Sequence, residues 1–221
     1  SVEVHSVGAG GGSIAHVPMT GALRVGPESA GADPGPACYG KGGDQPTVTD
    51  ANVVLGRLPP SLLGGEMALD VKAAEEAVDK IGRAIGLDTH QAAQGILDIV
   101  NENMFGALRL LTVQKGLDPR DFALVAFGGA GPLHANAVGM LAGSSPVIVP
   151  PTPGVLSALG FLYSDVKNEF AQTFIRNIDG IEAGDVGEIL GRLGNEARNW
   201  LREEGIEERR QGLSFEVDVR Y

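Results

Sequence analysis

The sequence predicts an α/β fold in which helices pack on a mixed sheet, on three observations. An apolar run at Phe122–Phe127, a glycine turn, a helical stretch and a second apolar run at Val147–Val149 read as strand, crossover helix, strand. Two long segments, about 70–85 and 90–115, carry apolar residues at helical spacing. Segments near the N-terminus alternate between strand-forming residues and Gly/Pro turns.

In chain order, Val2–Val7 reads as a strand leading into Gly8-Ala9-Gly10-Gly11-Gly12. Ser13–Val17 and Ala22–Val25 then flank a turn marked by Pro18 and Gly21. Residues 26–47 form a long Gly- and Pro-rich loop with few charges, expected to lie ordered against the body. Thr49 or Asp50 is the expected cap of a short helix through Leu55. Asp70 opens a helix with Val71, Ala74, Val78 and Ile81 on one face. Thr89 is the expected cap of the longest helix, whose apolar stripe runs Ile96, Val100, Met104, Ala107, Leu111 and which Gly116 and Pro119 end.

Phe122–Phe127 is apolar without alternation, the pattern of a strand covered on both faces. Pro132 sits where a first helical residue belongs, and its helix runs to about Leu141. A short helix follows Pro153. Residues 166–221 read as strand, helix, strand. The helix, about 185–204, turns Ile189, Leu193, Ala197 and Trp200 inward, and the last strand alternates from Leu213 to Tyr221. The chain opens without Met in a strand-like segment and stops inside another, so it reads as an internal piece of a longer protein.

Composition narrows the function classes. A net charge of −11 argues against nucleic acid and anionic membrane surfaces as partners, because phosphates call for clustered Lys and Arg. No apolar run reaches 18 residues and no signal-peptide pattern opens the chain. One cysteine, Cys38, excludes a disulfide within these residues and a cysteine zinc site, and suits a reducing, cytoplasmic compartment. His5, His16, His90 and His134 lack ligand spacing, so no metal site is expected. The 33 glycines, about twice the usual share of roughly 7%, cluster between apolar segments as tight loops.

Two such loops are candidate sites. Phe127-Gly128-Gly129-Ala130-Gly131-Pro132-Leu133-His134 ends a strand in glycines and turns straight into a helix. Free N–H groups without intervening side chains suit close approach by a phosphate or nucleoside, and a ligand-free turn is the plain alternative. His134 reads as a packed histidine or as a base. Gly10, Gly11, Gly12 and Ser13 suit an anion nest or the close approach of another element. Gly35–Gly42 approaches a P-loop but has Gly42 where Ser or Thr must hold magnesium, and is rejected. On the long helix Gly95, Glu102 and Gly106 share a sector with Asp98 and Arg109 beside them. That sector is a solvated face or a place where something meets the backbone.

Five segments in order resemble the hydantoinase A/oxoprolinase family. They are Val7–Ala15, Val25–Gly40, Pro46–Asn52, Ala126–Ala135 and Pro153–Gly160, within residues 2–165. The resemblance implies part of an actin-like ATPase (ribonuclease H-like) domain. Residues 1–165 would be its C-terminal lobe, with a helical insertion near 49–116, and 166–221 a β-α-β segment leading to a further region. It implies that Gly128, Gly129, Ala130, Gly131 and His134 hold the adenosine end of ATP. Gly10, Gly11, Gly12, Ser13, Tyr39 and Lys41 are the candidates for a substrate or phosphate loop, the 26–47 loop being expected to line the substrate cleft or the subunit interface. The Mg ligands and phosphate-loop aspartates are expected outside these residues. A B-type hydantoinase/oxoprolinase subunit or domain is the implied partner. The implied reaction is ATP-driven opening of a cyclic amide of hydantoin or 5-oxoproline type, by phosphoryl activation. An ATP-dependent ketone carboxylase subunit and a non-catalytic actin-like scaffold module stand as alternatives.

Overall fold

The structure, a computed structural model, describes residues 4–177, 180 and 182–218. The chain divides into two compact units, Ser1–Leu162 and Tyr163–Tyr221.

The first unit begins with an antiparallel hairpin, β1 (Ser13–His16) and β2 (Arg24–Ser29). Ala15 pairs with Val25 and Ser13 with Ser29, with a bulge between. Ala15 and Val25 are buried, and the paired backbone is closed at its mouth by Ala30 N–H donating to Gly12 O. The strand expected over residues 2–7 does not form where it is described. Val4–Val7 carries no regular structure, and no neighbouring strand pairs with it among the described residues.

Three helices build the main core. Every residue of α1 (Val48–Val54) is buried. Its cap is Thr47, not Thr49 or Asp50. Thr47 is extended and its side chain accepts from Asp50 N–H, while the Asp50 carboxylate accepts from Thr47 N–H, a reciprocal capping box. A two-stranded ribbon, β3 (Ser61–Leu62) with β4 (Met67–Ala68), follows and was not anticipated.

Asp70 caps α2 (Val71–Ile85) as expected, and Ala74, Ala77, Val78 and Ile81 face inward. The helix ends at Gly86, whose φ of 73° favours glycine. The cap of α3 (Thr89–Val113) is Asp88 rather than Thr89, in a capping box with Gln91. In α3, Ala92, Ala93, Ile96, Leu97 and Val100 are fully buried. The expected stripe is shallower beyond them, where Met104, Ala107 and Leu111 are half-buried.

The predicted crossover unit is present. β5 (Leu124–Val125) and β6 (Val147–Ile148) pair in parallel, joined by α4 (Gly131–Ala142). α4 covers one sheet face so closely that a Cβ on Gly139 would collide with Val147. The expected cover on both faces is not found. Phe122, Val125, Phe127, Ile148 and Val149 remain 43–50% exposed. A 3-10 turn at Pro153–Val155 leads into α5 (Leu156–Tyr163).

The second unit is built around α6 (Ala183–Glu203), with Leu201 buried and Ile189, Leu193, Ala197 and Trp200 half-buried. Phe170 meets Trp200 edge-on at 6.3 Å between ring centres, and Phe215 packs against Gly194. Neither expected flanking strand forms in 166–177 or 213–218, since a strand needs a paired neighbour and none is present among the described residues. Val219, Arg220 and Tyr221 lie outside the described residues. Among the described residues no helix is long and apolar enough to cross a membrane.

Candidate functional site: two glycine loops at the start of a helix

The glycine turn after β5 is held at its base and open at its tip. Gly128 takes φ +87° and its N–H donates to Pro153 O at 2.8 Å, so the turn is anchored to the segment before α5. Gly129 and Gly131 differ from most glycines of this fold. Neither has a positive φ, and a Cβ built on either meets nothing within 4 Å among the described residues. The fold does not require glycine at these positions, and the space they leave is open. Ala130 caps α4 without a side-chain hydrogen bond, and Pro132 contributes no N–H. The first turn of α4 therefore presents its backbone dipole unopposed by a capping oxygen, a setting that favours an anion.

The other glycine loop lies against this turn. Gly11 O accepts from both the N–H and the hydroxyl of Thr49, each at 2.9 Å, which ties the loop to the start of α1. The Cβ position of Gly11 lies 3.5 Å from Ala130 Cβ. Gly12 is pressed against Ser29 Oγ, so close approach of a neighbouring element explains Gly11 and Gly12. Gly10 is not pressed in this way, since nothing among the described residues lies within 4 Å of its Cβ position. Ser13 is buried, and its hydroxyl accepts from Gly10 N–H at 2.9 Å, closing the turn on itself.

His134 sits on the inner side of α4, 1% exposed. Its Nδ1 lies 2.8 Å from Asn101 Oδ1 on α3. An amide oxygen only accepts, so Nδ1 carries the proton. Burial first, and then the positive charge of Arg57, lower the His134 pKa and keep the ring neutral. Nε2 is then a bare acceptor, buried without a partner among the described residues. Asn101 was missed in the sequence. Its signal was a polar residue four positions after Leu97 on the buried side of an amphipathic helix.

Tyr39 and Lys41 belong to the loop that precedes α1. The turn Ala37–Tyr39 packs on α2 and α1, and no hydrogen bond joins Tyr39 or Lys41 to either glycine loop. The loop is ordered by Asp50, as its low charge and buried Cys38 require. The Asp50 carboxylate accepts from Ala37 N–H (3.2 Å), Cys38 N–H (2.8 Å), Thr47 N–H (2.9 Å) and the Thr47 hydroxyl (2.8 Å). Burial and then the Asp50 charge push the Cys38 thiol far up, so it stays protonated. Burial likewise raises the Tyr39 phenol, which is half-buried against the core, while Lys41 is exposed.

The polar face of α3 resolves into separate uses. Gly95 meets Leu23 at 3.5 Å, Asp98 accepts from Gln94, and Arg109 stacks over Phe105. Gly106 meets nothing, and Glu102 is exposed. Among the described residues no group of three or more His, Cys, Asp or Glu is placed to hold a metal ion.

Comparison with known proteins adds a lineage to this geometry. The family described as hydantoinase/oxoprolinase matches residues 1–170. The chain is 39% identical over 225 residues to the caprolactamase subunit alpha of Pseudomonas jessenii, covering 100% of this chain and 32% of that one. It is 40% identical over 233 residues to the acetophenone carboxylase gamma subunit of Aromatoleum aromaticum, covering 100% and 31%. The crystal structure of the ATP-dependent caprolactamase from Pseudomonas jessenii superimposes with a TM-score of 0.68, over 92% of this chain and 30% of that one. The nucleotide-free structure of an acetone carboxylase gives 0.64 at 34% identity, over 69% and 22%. The chain thus spans about a third of the length of the curated relatives it matches.

Proposed function

This chain belongs to the hydantoinase/oxoprolinase family, and we propose that the turn Gly128–Gly131 holds the adenosine end of ATP in an actin-like ATPase domain. The observation that carries the reading is the emptiness around Gly129 and Gly131. Both are glycine without a conformational or packing reason, at the uncapped start of α4. The Gly10–Ser13 loop touches the same turn through Gly11 and supplies a second wall. For Tyr39 and Lys41, on the 26–47 loop, the proposed role is in a substrate cleft or a subunit contact.

In this reading the whole protein uses ATP to phosphorylate a stable amide or its equivalent, making a poor leaving group a good one. The residues here position the nucleotide and do no bond chemistry of their own. The acidic ligands for magnesium lie outside these residues. The substrate class we propose is a cyclic amide, opened at its C–N bond, with a B-type subunit or domain completing the enzyme. The similarity to caprolactamase subunit alpha supports it.

A ketone carboxylase is the second reading, supported by the similar identity to the acetophenone carboxylase gamma subunit. ATP hydrolysis by the full-length protein with its partner subunit separates the two. Stimulation by lactams or hydantoins supports the amide reading. Stimulation only by ketones with bicarbonate replaces it with the carboxylase reading, and stimulation by neither rejects both.

A further inference from the structure

A cavity of about 410 Å³ lies between the start of β2, the segment Val7–Ala9 and α3. Its volume falls within the roughly 300–1,000 Å³ of pockets that hold small organic ligands. Two contacts fix its wall. Gly26 takes φ +71°, and a Cβ there would stand 2.9 Å from Gly8 O, so these two glycines are pressed together. Asn103 of α3 donates from Nδ2 to Val25 O at 3.2 Å, which ties the helix to the same strand. From Gly8 and Ala9 in the cavity wall the chain runs on to Gly11, which meets Ala130 of the glycine turn. One short loop therefore borders both the cavity and the turn proposed for the nucleotide.

The walls define the ligand. Val7, Leu23, Pro27 and Ile99 are apolar, and Arg24 is the only charged residue that lines the cavity. Arg24 is exposed, and its guanidinium has no hydrogen-bond or ion-pair partner among the described residues. In a chain of net charge −11, a cation left unpaired beside an apolar cavity favours a ligand that joins an anion to a small apolar body. Asn103 adds an amide whose NH₂ is engaged by Val25 O, so its Oδ1 remains an acceptor for one N–H. A compact ring that carries a carboxylate and a ring N–H matches all three features. A free phosphate would leave the apolar walls unused.

We propose that this cavity is the subsite for the molecule the nucleotide activates, and that Arg24 selects cyclic amides bearing a carboxylate over neutral ones. Arg24 is the specificity-determining residue, and Asn103 orients the ring amide. A neutral lactam fills the same walls but leaves the guanidinium to water. The inference rests on the nucleotide reading of the glycine turn for the use made of the bound molecule, and goes beyond it by naming the place and the charge that recognise that molecule.

The test is equilibrium binding of 5-oxoproline, 2-pyrrolidinone and cyclopentanecarboxylate to the full-length protein with its partner subunit, with ATP binding measured separately. 2-Pyrrolidinone keeps the ring amide and lacks the carboxylate, and cyclopentanecarboxylate does the reverse. The expected result is 5-oxoproline binding about tenfold or more tighter than 2-pyrrolidinone, and a few-fold tighter than cyclopentanecarboxylate. Arg24→Gln is expected to bring the ratio of 5-oxoproline to 2-pyrrolidinone near one. The side chain it alters is exposed, so the melting temperature is expected to stay unchanged. Equal binding of 5-oxoproline and 2-pyrrolidinone by the unaltered protein, binding of neither, or a preference that survives Arg24→Gln overturns the inference. Equal binding of 5-oxoproline and cyclopentanecarboxylate overturns the amide contact at Asn103. If ATP binds in any of these cases, the glycine-turn reading stands. An Arg24-dependent preference without ATP binding keeps the site and overturns that reading.

Discussion

Asp50 is the residue on which the order of the 36–47 loop depends, and Asp50→Asn is the sharpest perturbation of it. The carboxylate is fully buried and four donors converge on it, three at Oδ2 and Cys38 N–H at Oδ1. Asparagine conserves the volume, so no cavity forms. If the amide oxygen takes the Oδ2 position, its NH₂ faces Cys38 N–H, donor against donor. One buried unsatisfied donor costs about 1–3 kcal/mol, and three charge-assisted bonds become weaker neutral ones. Removing the charge also relieves its desolvation, which works in the opposite direction. With every donor aimed at a carboxylate, the loss dominates, and the net destabilisation is about 2–4 kcal/mol. At roughly 2–4 °C per kcal/mol for a chain of this size, the melting temperature falls by about 4–16 °C. Thermal and urea unfolding measure the total, and amide exchange at Ala37 and Cys38 reports the local opening. An Asn variant within about 0.5 kcal/mol of the parent, with those amides still protected, would refute the clamp.

Further outcomes follow from the same geometry. Cys38 is fully buried and held protonated, so it resists alkylation at mildly alkaline pH in the native chain. The labelling rate rises in Asp50→Asn. Gly139→Ala drives a methyl into Val147, and the overpacking, about 1–3 kcal/mol, outweighs the helix-propensity gain of about 1 kcal/mol. Gly129→Ala meets open space and leaves the melting temperature within about 0.5 kcal/mol equivalent, a contrast that one calorimetric series checks. The folded state disfavours protonated His134, so below pH about 6.5 the unfolded chain takes up a proton that the folded chain does not. Stability therefore falls as pH drops from there toward the lowered folded value, and His134→Asn flattens that slope in pH-dependent urea titrations.

Helical spacing made α2, α3 and α6 legible, because their buried faces repeat every three to four residues. The crossover unit was legible from two apolar runs around a glycine turn. The caps were displaced by one to three residues, since Thr47 and Asp88 win through reciprocal capping boxes that a single-residue rule does not weigh. Strands over 2–7 and 213–221 were expected from alternation, which signals a strand's faces and not its neighbour; no neighbour is present among the described residues. The even apolarity of Phe122–Phe127 suggested cover on both faces, where Phe122, Val125 and Phe127 remain about half exposed.

Of the site, the two glycine loops were visible as composition, but their meeting at Gly11 and Ala130 depends on Thr49, a contact between distant segments. The partnership of Asn101 with His134 was invisible for the same reason. The order of the loop that carries Tyr39 and Lys41 was legible from its low charge, but not the packing of its Ala37–Tyr39 turn on α1 and α2, which joins segments distant in sequence.

The central claim is that Gly129 is glycine for a ligand and not for the fold. Calorimetric titration of ATP into the full-length protein and its Gly129→Val variant tests it most directly, with melting temperature measured beside it. The account predicts ATP binding by the parent, loss of that binding in the variant, and little change in melting temperature. Undiminished binding by Gly129→Val, or loss of binding together with loss of the fold, would contradict it.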